Sequence, residues 1–117
     1  MERYIYKICE RLAWEKALEI GHFAGSPDDV RDGFIHLSTA HQLGGTLIKH
    51  FAGQSDLVLI TVATLSVVTD LRWEALASGS AYPHLYAPLP TAAAVRVAAV
   101  ALGPDGRHTL PEGVDAC

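Results

Sequence analysis

The 117-residue sequence predicts a single α+β domain. Two amphipathic helical segments lie in its first half, whereas short β-rich runs dominate the second half. Helices followed by a separate series of strands are typical of α+β proteins, because doubly wound sheets alternate the two elements throughout. Half of the residues are apolar and 19% are charged, as expected of a folded domain with its own core. We expect residues 1–117 to form one domain, with a core over about 4–110 and a frayed tail over 111–117.

The chain begins with a predicted strand and a predicted helix. Tyr4 to Cys9 alternates and is rich in β-forming residues, which favours a strand. The helix that follows is expected to end at Gly21. Its apolar residues recur at helical spacing: Ala13, Trp14, Ala17 and Leu18. Ser26 and Pro27 then suit the N-cap and the first position of a single helical turn over residues 26–29.

A second strand, a second helix and a third strand follow. The second strand is predicted over residues 33–38. Thr39 and Gln42 match a capping box, which opens a helix that we expect to end at Gly53. The predicted buried face of this helix consists of Leu43, Leu47, Ile48 and Phe51. Leu57 to Ala63 is apolar on both faces and is therefore predicted to be a central, buried strand.

The second half of the chain is predicted to consist mostly of strands. Asp70 to Ala75 is a plausible strand, and residues 78–80 form a loop. Prolines surround His84–Tyr86, so this short segment is expected to pair only at a sheet edge. A turn of glycine, proline and aspartate then connects a terminal hairpin. Its predicted strands lie over Val95–Leu102 and Arg107–Leu110.

Composition argues against several classes of partner. The net charge is −4 and no run of Lys or Arg occurs, so a nucleic acid would be repelled on average. The apolar stretches are too short to span a bilayer, and the chain begins without a signal-peptide pattern. Cys9 and Cys117 lie far apart without CxxC spacing, and the histidines lack metal-ligand spacing. We therefore expect a cytoplasmic protein without a membrane partner, and the signal for a metal site is weak.

The strand predicted over residues 33–38 has two chemically different faces. Because side chains alternate along a strand, Phe34, His36 and Ser38 share the face opposite to two aliphatic residues. A packed core would favour an apolar residue in place of an imidazole or a hydroxyl. Sequences break such local rules mainly at functional sites, which makes His36 the first candidate. For Ser38 and Thr39, two interpretations stay open, a helix cap or a ligand contact.

Two later segments supply further candidates. His84 and Tyr86 repeat the pattern of polar rings on one strand face. Arg72 and Glu74 share a face of the preceding strand, where a solvated arginine is expected and Glu74 provides a carboxylate within a structured segment. Lys7 is the charge within the first strand, and its ammonium is expected at a solvated edge or in the same cleft.

The aspartates before the second strand carry a different prediction. Asp28, Asp29 and Asp32 lack the ligand ladder of a calcium loop. We therefore expect them to form a turn that is stabilised by the helix dipole.

Four ordered motifs resemble the family called domain of unknown function 952. They are Tyr6-Lys7-Ile8, Asp32 to Thr39, Arg72-Trp73-Glu74 and Pro83 to Pro90. The resemblance covers about residues 4–102. It implies an ADP-ribosyltransferase-like fold, in which two small split sheets, antiparallel or mixed, and two main helices surround an NAD-binding cleft. The segment His36-Leu37-Ser38 also resembles a strand of RNA 2′-phosphotransferases, which share that fold.

The resemblance also implies roles for individual residues. Glu74 would stabilise the positive charge that develops on ribose when the nicotinamide bond of NAD breaks. His36 would act beside it in catalysis, and Tyr86 would stack on nicotinamide. The remaining candidate ligand contacts are Lys7, Ser38, Thr39, Arg72 and His84. Transferases of this fold carry their glutamate on a later strand, so a complete catalytic set does not carry over.

The sequence thus leaves three functional hypotheses. The first is a cleft that binds NAD, ADP-ribose or a related phosphorylated nucleoside, with glycosyl, ADP-ribosyl or phosphate transfer as candidate reactions. The second is a non-enzymatic binding or interaction module. The third is a metal-assisted hydrolase that uses His36, Glu74 and His84. The sequence does not indicate which oligomeric state the protein adopts.

Overall fold

A computed structural model describes residues 2–75 and 79–114. Within these ranges the chain forms three α-helices and nine strands. The elements in chain order are β1 (Tyr4–Glu10), α1 (Arg11–Ile20), β2 (His22–Phe23), α2 (Pro27–Asp32), β3 (Ile35–His36), α3 (Leu43–His50), β4 (Leu57–Ala63), β5 (Leu71–Ala75), β6 (Ala81–Leu85), β7 (Leu89–Pro90), β8 (Ala94–Leu102) and β9 (His108–Thr109). The α+β prediction is confirmed. All strand pairs in the described ranges are antiparallel, and the strands form three sheets where the sequence predicted two.

The largest sheet has the strand order β1-β4-β8-β9 and contains the predicted central strand. Tyr4 lies opposite Ala63 at one end of the β1–β4 pair, and Glu10 lies opposite Leu57 at the other. Leu57 through Val62 are all buried, as expected of a strand that is apolar on both faces. The terminal hairpin of β8 and β9 is confirmed, with Ala101 opposite Thr109.

A smaller sheet has the order β3-β6-β5, so the predicted edge position of the His84 segment is wrong. β6 is central: His84 lies opposite both His36 of β3 and Arg72 of β5. Pro83 is tolerated there because its carbonyl takes part in the pairing and its missing N–H is not needed. Leu37 N donates to Pro83 O at 3.0 Å. Tyr86 lies just beyond the end of β6.

The helices bury narrower faces than the sequence predicted. Trp14 and Ala17 of α1 are buried, but Leu18 is 55% exposed. In α3, Leu43 and Leu47 are buried one turn apart, whereas Ile48 is 78% exposed. α3 is an α-helix of only eight residues, preceded by a 3₁₀ turn over Ala40–Gln42, and its buried residues are Leu43 and Leu47. α3 also ends at His50, before the predicted stop at Gly53.

The segment after α2 joins the two larger sheets. Tyr6 N donates to Ser38 O at 2.8 Å, and Ser38 N donates to Tyr6 O at 2.9 Å. The strand predicted over residues 33–38 is shorter than expected and covers only Ile35–His36. It cannot begin at Gly33, because this residue has φ 85° and ends α2. α2 itself is longer than the predicted single turn. This arrangement covers the outer edge of β1 with α2 and β3.

Some predictions fall partly outside the described residues. The loop predicted over 78–80 begins at Ser78, which lies outside them, as do Cys117 and the rest of residues 115–117. In the part of the chain that is described, no helix combines the length and apolar character needed to cross a membrane.

Candidate functional site

A cleft of about 610 Å³ opens beside β1, between α2, the β3 segment and α3. Its volume lies within the range of small-molecule sites, which is about 300–1,000 Å³. Of the predicted site residues, Lys7, His36, Ser38 and His84 line it. The other predicted residues, Thr39, Arg72, Glu74 and Tyr86, are not part of its lining.

Lys7 is buried, which makes the expectation of a solvated edge wrong. Its side chain is 5% exposed, because α2 and the β3 segment cover the edge of the large sheet at this point. The ammonium Nζ lies 2.8 Å from Asp29 Oδ2 and donates to His36 O at 3.1 Å. A buried ammonium requires such partners, since leaving it unpaired costs several kcal/mol, roughly 3–5.

Asp29 lies at the centre of this network, although the sequence predicted only a turn. Its side chain is 2% exposed. Oδ2 accepts from Ser26 N at 2.8 Å, and Oδ1 accepts from His36 N at 3.0 Å. Gly25 precedes α2 with φ 123°, and a Cβ there would lie 2.8 Å from the Asp29 Cβ. The available signal was Lys7 itself, a charge within a strand that needs an acidic partner.

The pKa of Asp29 reflects these contacts. Burial raises it, but the hydrogen bonds from His36 and the charge and hydrogen bond of Lys7 outweigh burial and bring the pKa to about 2. The folded state therefore favours the ionised carboxylate more than the unfolded chain does, in which the pKa is 3.8.

This pKa predicts a specific loss of stability in acid. The lowered pKa contributes stability that is fully present above about pH 4 and is lost as the pH falls toward 2. We expect about 1 kcal/mol of this contribution to be lost by pH 3, because the unfolded carboxyl is then mostly protonated. Urea unfolding of wild type and D29N at about pH 5 and pH 3 measures this loss as the change in the free energy of unfolding between the two pH values. An equal pH dependence in both proteins would contradict the assignment.

His36 lies between two carboxylates. Nδ1 is 2.6 Å from Asp29 Oδ1, and Nε2 is 2.9 Å from Asp32 Oδ2. Carboxylates only accept hydrogen bonds, so both ring nitrogens must carry a proton for both contacts to be hydrogen bonds. The His36 side chain is 37% exposed and lines the cleft. Both of its nitrogens are nevertheless engaged by the protein.

The second predicted segment contributes a different arrangement. His84 Nδ1 lies 2.7 Å from Glu74 Oε1, and Tyr86 Oη donates to the same oxygen at 2.6 Å. These hydrogen bonds lower the pKa of Glu74. The bond from Tyr86 has the larger effect, and the bond from His84 comes next. The bond to Glu74 raises the pKa of Tyr86. The strand-face predictions thus bring these three residues together.

Phe34 connects the two histidines. Its ring stacks on His84 with centroids 4.1 Å apart, and its centroid is 4.6 Å from that of His36. The His36 and His84 centroids are 5.6 Å apart. Sequence reasoning did not select Phe34, although strand alternation placed it on the same face as His36. On the other side of this group, the Arg72 guanidinium lies 4.6 Å above the Tyr86 ring, so one face of that ring is already covered.

Comparison with known proteins identifies the family. Residues 8–97 match the model of the family described as Protein of unknown function (DUF952). The chain belongs to this family. Its predicted membership in DUF952 is therefore confirmed. No curated protein matches the chain.

Solved structures of one bacterial protein resemble this DUF952 chain. A crystal structure of CC0527 from Caulobacter crescentus is 43% identical, with a TM-score of 0.87 over 91% of this chain and 93% of that one. A crystal structure of a double mutant of CC0527 gives the same values. The solution structure of CC0527 is 44% identical, with a TM-score of 0.80 over 90% of both chains.

The two interpretations of Ser38 and Thr39 can now be separated in the DUF952 structure. Thr39 is the N-cap of the turn before α3, and Gln42 Oε1 accepts from its N–H at 3.0 Å. Ser38 is not a cap: its buried hydroxyl lies 3.0 Å from Thr46 Oγ1. Ser38 therefore remains a cleft residue, and Thr39 has a structural role.

The described part of the DUF952 chain bears on the metal-assisted hydrolase hypothesis and on the state of Cys9. Among residues 2–75 and 79–114, no three His, Cys, Asp or Glu side chains are arranged to hold a metal ion. The metal-assisted hydrolase hypothesis therefore has no ligand set in these ranges. Burial raises the pKa of Cys9 to about 11, so this thiol is neutral at pH 7.

Proposed function

We propose that the cleft binds NAD, ADP-ribose or a related phosphorylated nucleoside. The observation that carries the proposal is the combination of side chains within one cleft of about 610 Å³: the ammonium of Lys49, two positioned imidazoles and an aromatic ring. A phosphorylated nucleoside needs a cation for phosphate, polar groups for its hydroxyls and an apolar surface for its base.

Charge pairing indicates which cation is available for phosphate. Lys7 is neutralised by Asp29, and Arg31 contacts Asp28 and Asp32. Lys49 of α3 lines the cleft and has no ion-pair partner in the described ranges. His50 lies beside it. We therefore propose that the phosphate binds on the α3 side of the cleft.

The resemblance to ADP-ribosyltransferases supports the same ligand class. In that fold small sheets lie on both sides of a nucleotide cleft, and here the cleft borders β1 of the larger sheet and β3 and β6 of the smaller one. A shared fold alone does not establish a shared function, so the side chains of the cleft carry more weight.

Ligand binding, rather than transfer, is the proposed function. A transferase role for Glu74 requires its carboxylate beside the ribose. Glu74 Oε1 instead contacts His84 and Tyr86, and Glu74 is not among the residues that line the cleft. Release of nicotinamide from NAD distinguishes a transferase or hydrolase from a purely binding module.

Calorimetry with NAD, ADP-ribose and a 2′-phosphorylated nucleotide tests the proposal. We expect saturable one-to-one binding of at least one of them, and weaker binding of adenosine, which lacks phosphate. K49A should weaken binding by about tenfold, or about 1.4 kcal/mol, because it removes the unpaired ammonium. The matched control is K16A, since Lys16 is exposed on α1 and outside the cleft.

Two outcomes would contradict the proposal. The first is absence of binding for all three nucleotides at millimolar concentration. The second is an equal loss of affinity in K49A and K16A, which would indicate attraction by overall charge rather than binding in the cleft.

A further inference from the structure

We propose that His84 is the hydrogen-bond acceptor of the cleft, and that Glu74 and Tyr86 are positioning residues that act through it. The inference deepens the proposed function and rests on the cleft being the ligand site. It assigns a lone pair at His84 Nε2 to an N–H or O–H donor of the ligand, such as a ribose hydroxyl or an amide.

The contact with Glu74 determines which ring nitrogen carries the proton. His84 Nδ1 lies 2.7 Å from Glu74 Oε1. An ionised carboxylate can only accept, so Nδ1 must donate. In a neutral imidazole the other nitrogen then has a free lone pair. Nε2 is therefore the acceptor atom.

The surroundings of His84 direct this acceptor into the cleft. Nε2 has no hydrogen-bond partner among the described residues, yet it is not one of their fully buried unpaired atoms. The His84 side chain is only 7% exposed and lines the cleft, while Phe34 stacks on its ring. The small accessible part of the ring thus faces the cleft.

Tyr86 keeps Glu74 in the orientation that His84 requires. The Glu74 side chain is 40% exposed and would otherwise be free to turn toward water. Tyr86 Oη donates to the same oxygen that faces His84, at 2.6 Å. The Arg72 guanidinium packs on the Tyr86 ring at 4.6 Å. The chain Arg72–Tyr86–Glu74–His84 is therefore a series of direct contacts that ends at the cleft.

The other histidine of the pair differs in this respect. Both nitrogens of His36 face carboxylate oxygens, of Asp29 and Asp32. Neither ring nitrogen of His36 is open to a ligand in this arrangement, although its ring lies close to that of His84. The two imidazoles thus have separate roles, and His84 is the one that accepts a hydrogen bond from the ligand.

Ring-nitrogen NMR of the protein without ligand tests the tautomer directly. We expect wild-type His84 to be protonated at Nδ1, with signals assigned by their absence in H84F. E74A should shift the ring toward the Nε2-protonated form, and Y86F should shift it less, because Glu74 remains. E19A, which removes an exposed carboxylate of α1, should leave the His84 tautomer unchanged. An Nε2-protonated His84 in the wild type would overturn the inference.

Binding of ADP-ribose tests the acceptor. H84F keeps an aromatic ring beside Phe34 but removes the lone pair, and we expect about a tenfold loss of affinity. The matched control is H41F, since His41 is exposed and outside the cleft. Unchanged affinity in H84F together with weaker binding in K49A overturns the inference and leaves the proposed function standing. A wild type that has the expected tautomer but binds no nucleotide refutes the proposed function, and with it the role of Nε2 as ligand acceptor, while the tautomer stands.

Discussion

Replacement of Asp29 by asparagine is expected to lower the free energy of unfolding by about 3–5 kcal/mol. Asn has nearly the same size as Asp, so the loss comes from charge rather than from a cavity. The variant leaves the ammonium of Lys7 buried without a counter-charge, beside His36 O at 3.1 Å and the Phe23 ring at 5.9 Å. Denaturant unfolding at neutral pH, analysed with a constant slope, measures the difference.

The neighbouring substitution D28N is the matched control. Asp28 lies on the same helix and pairs with Arg31, but its side chain is 60% exposed. Exposed pairs contribute little, so D28N should cost less than about 1 kcal/mol. A cost below about 1 kcal/mol for D29N as well would show that the buried pair does not stabilise the fold.

Replacement of Lys7 by methionine is expected to cost about 3 kcal/mol, the lower end of the range for broken buried pairs. The cost is smaller than for D29N because Asp29 keeps its contacts with His36 and with Ser26 N. The double variant K7M/D29N removes both charges and should lose at least about 1 kcal/mol less than the sum of the two single variants.

A double-mutant cycle on these proteins measures the coupling directly. K49M is the control, because Lys49 is exposed and has no ion pair among the described residues, and its stability should stay within about 0.5 kcal/mol of wild type. Strict additivity of K7M and D29N would mean that the 2.8 Å contact carries no coupling energy.

The parts of the fold that could be predicted are those that depend on local pattern. β4 was predicted because an apolar run can be recognised without knowledge of its neighbours. The exposure of Ile48 could not be predicted, since it depends on which side of α3 packs against the core, and the packed side carries Leu43 and Leu47. The central position of β6 was missed because a proline within a strand usually indicates an edge position. A proline excludes a strand from the interior of a sheet only where its missing N–H would have to pair.

The candidate site shows the same division. Strand alternation placed His84 and Glu74 on one face of neighbouring strands, and Tyr86, just beyond the end of β6, reaches the same Glu74 oxygen. The role of Asp29 could not be predicted by local reasoning, since its capping contact with Ser26 already accounts for it. Its burial, and that of Lys7, arises only when α2 covers the edge of β1.

His36 contacts two walls of the cleft at once. Its backbone N–H and carbonyl contact Asp29 and Lys7, and its ring contacts Asp29 and Asp32. These partners belong to β1 and α2, two separate walls of the cleft. A substitution of this one residue therefore removes contacts to both walls and also changes the polarity of the surface that a ligand meets.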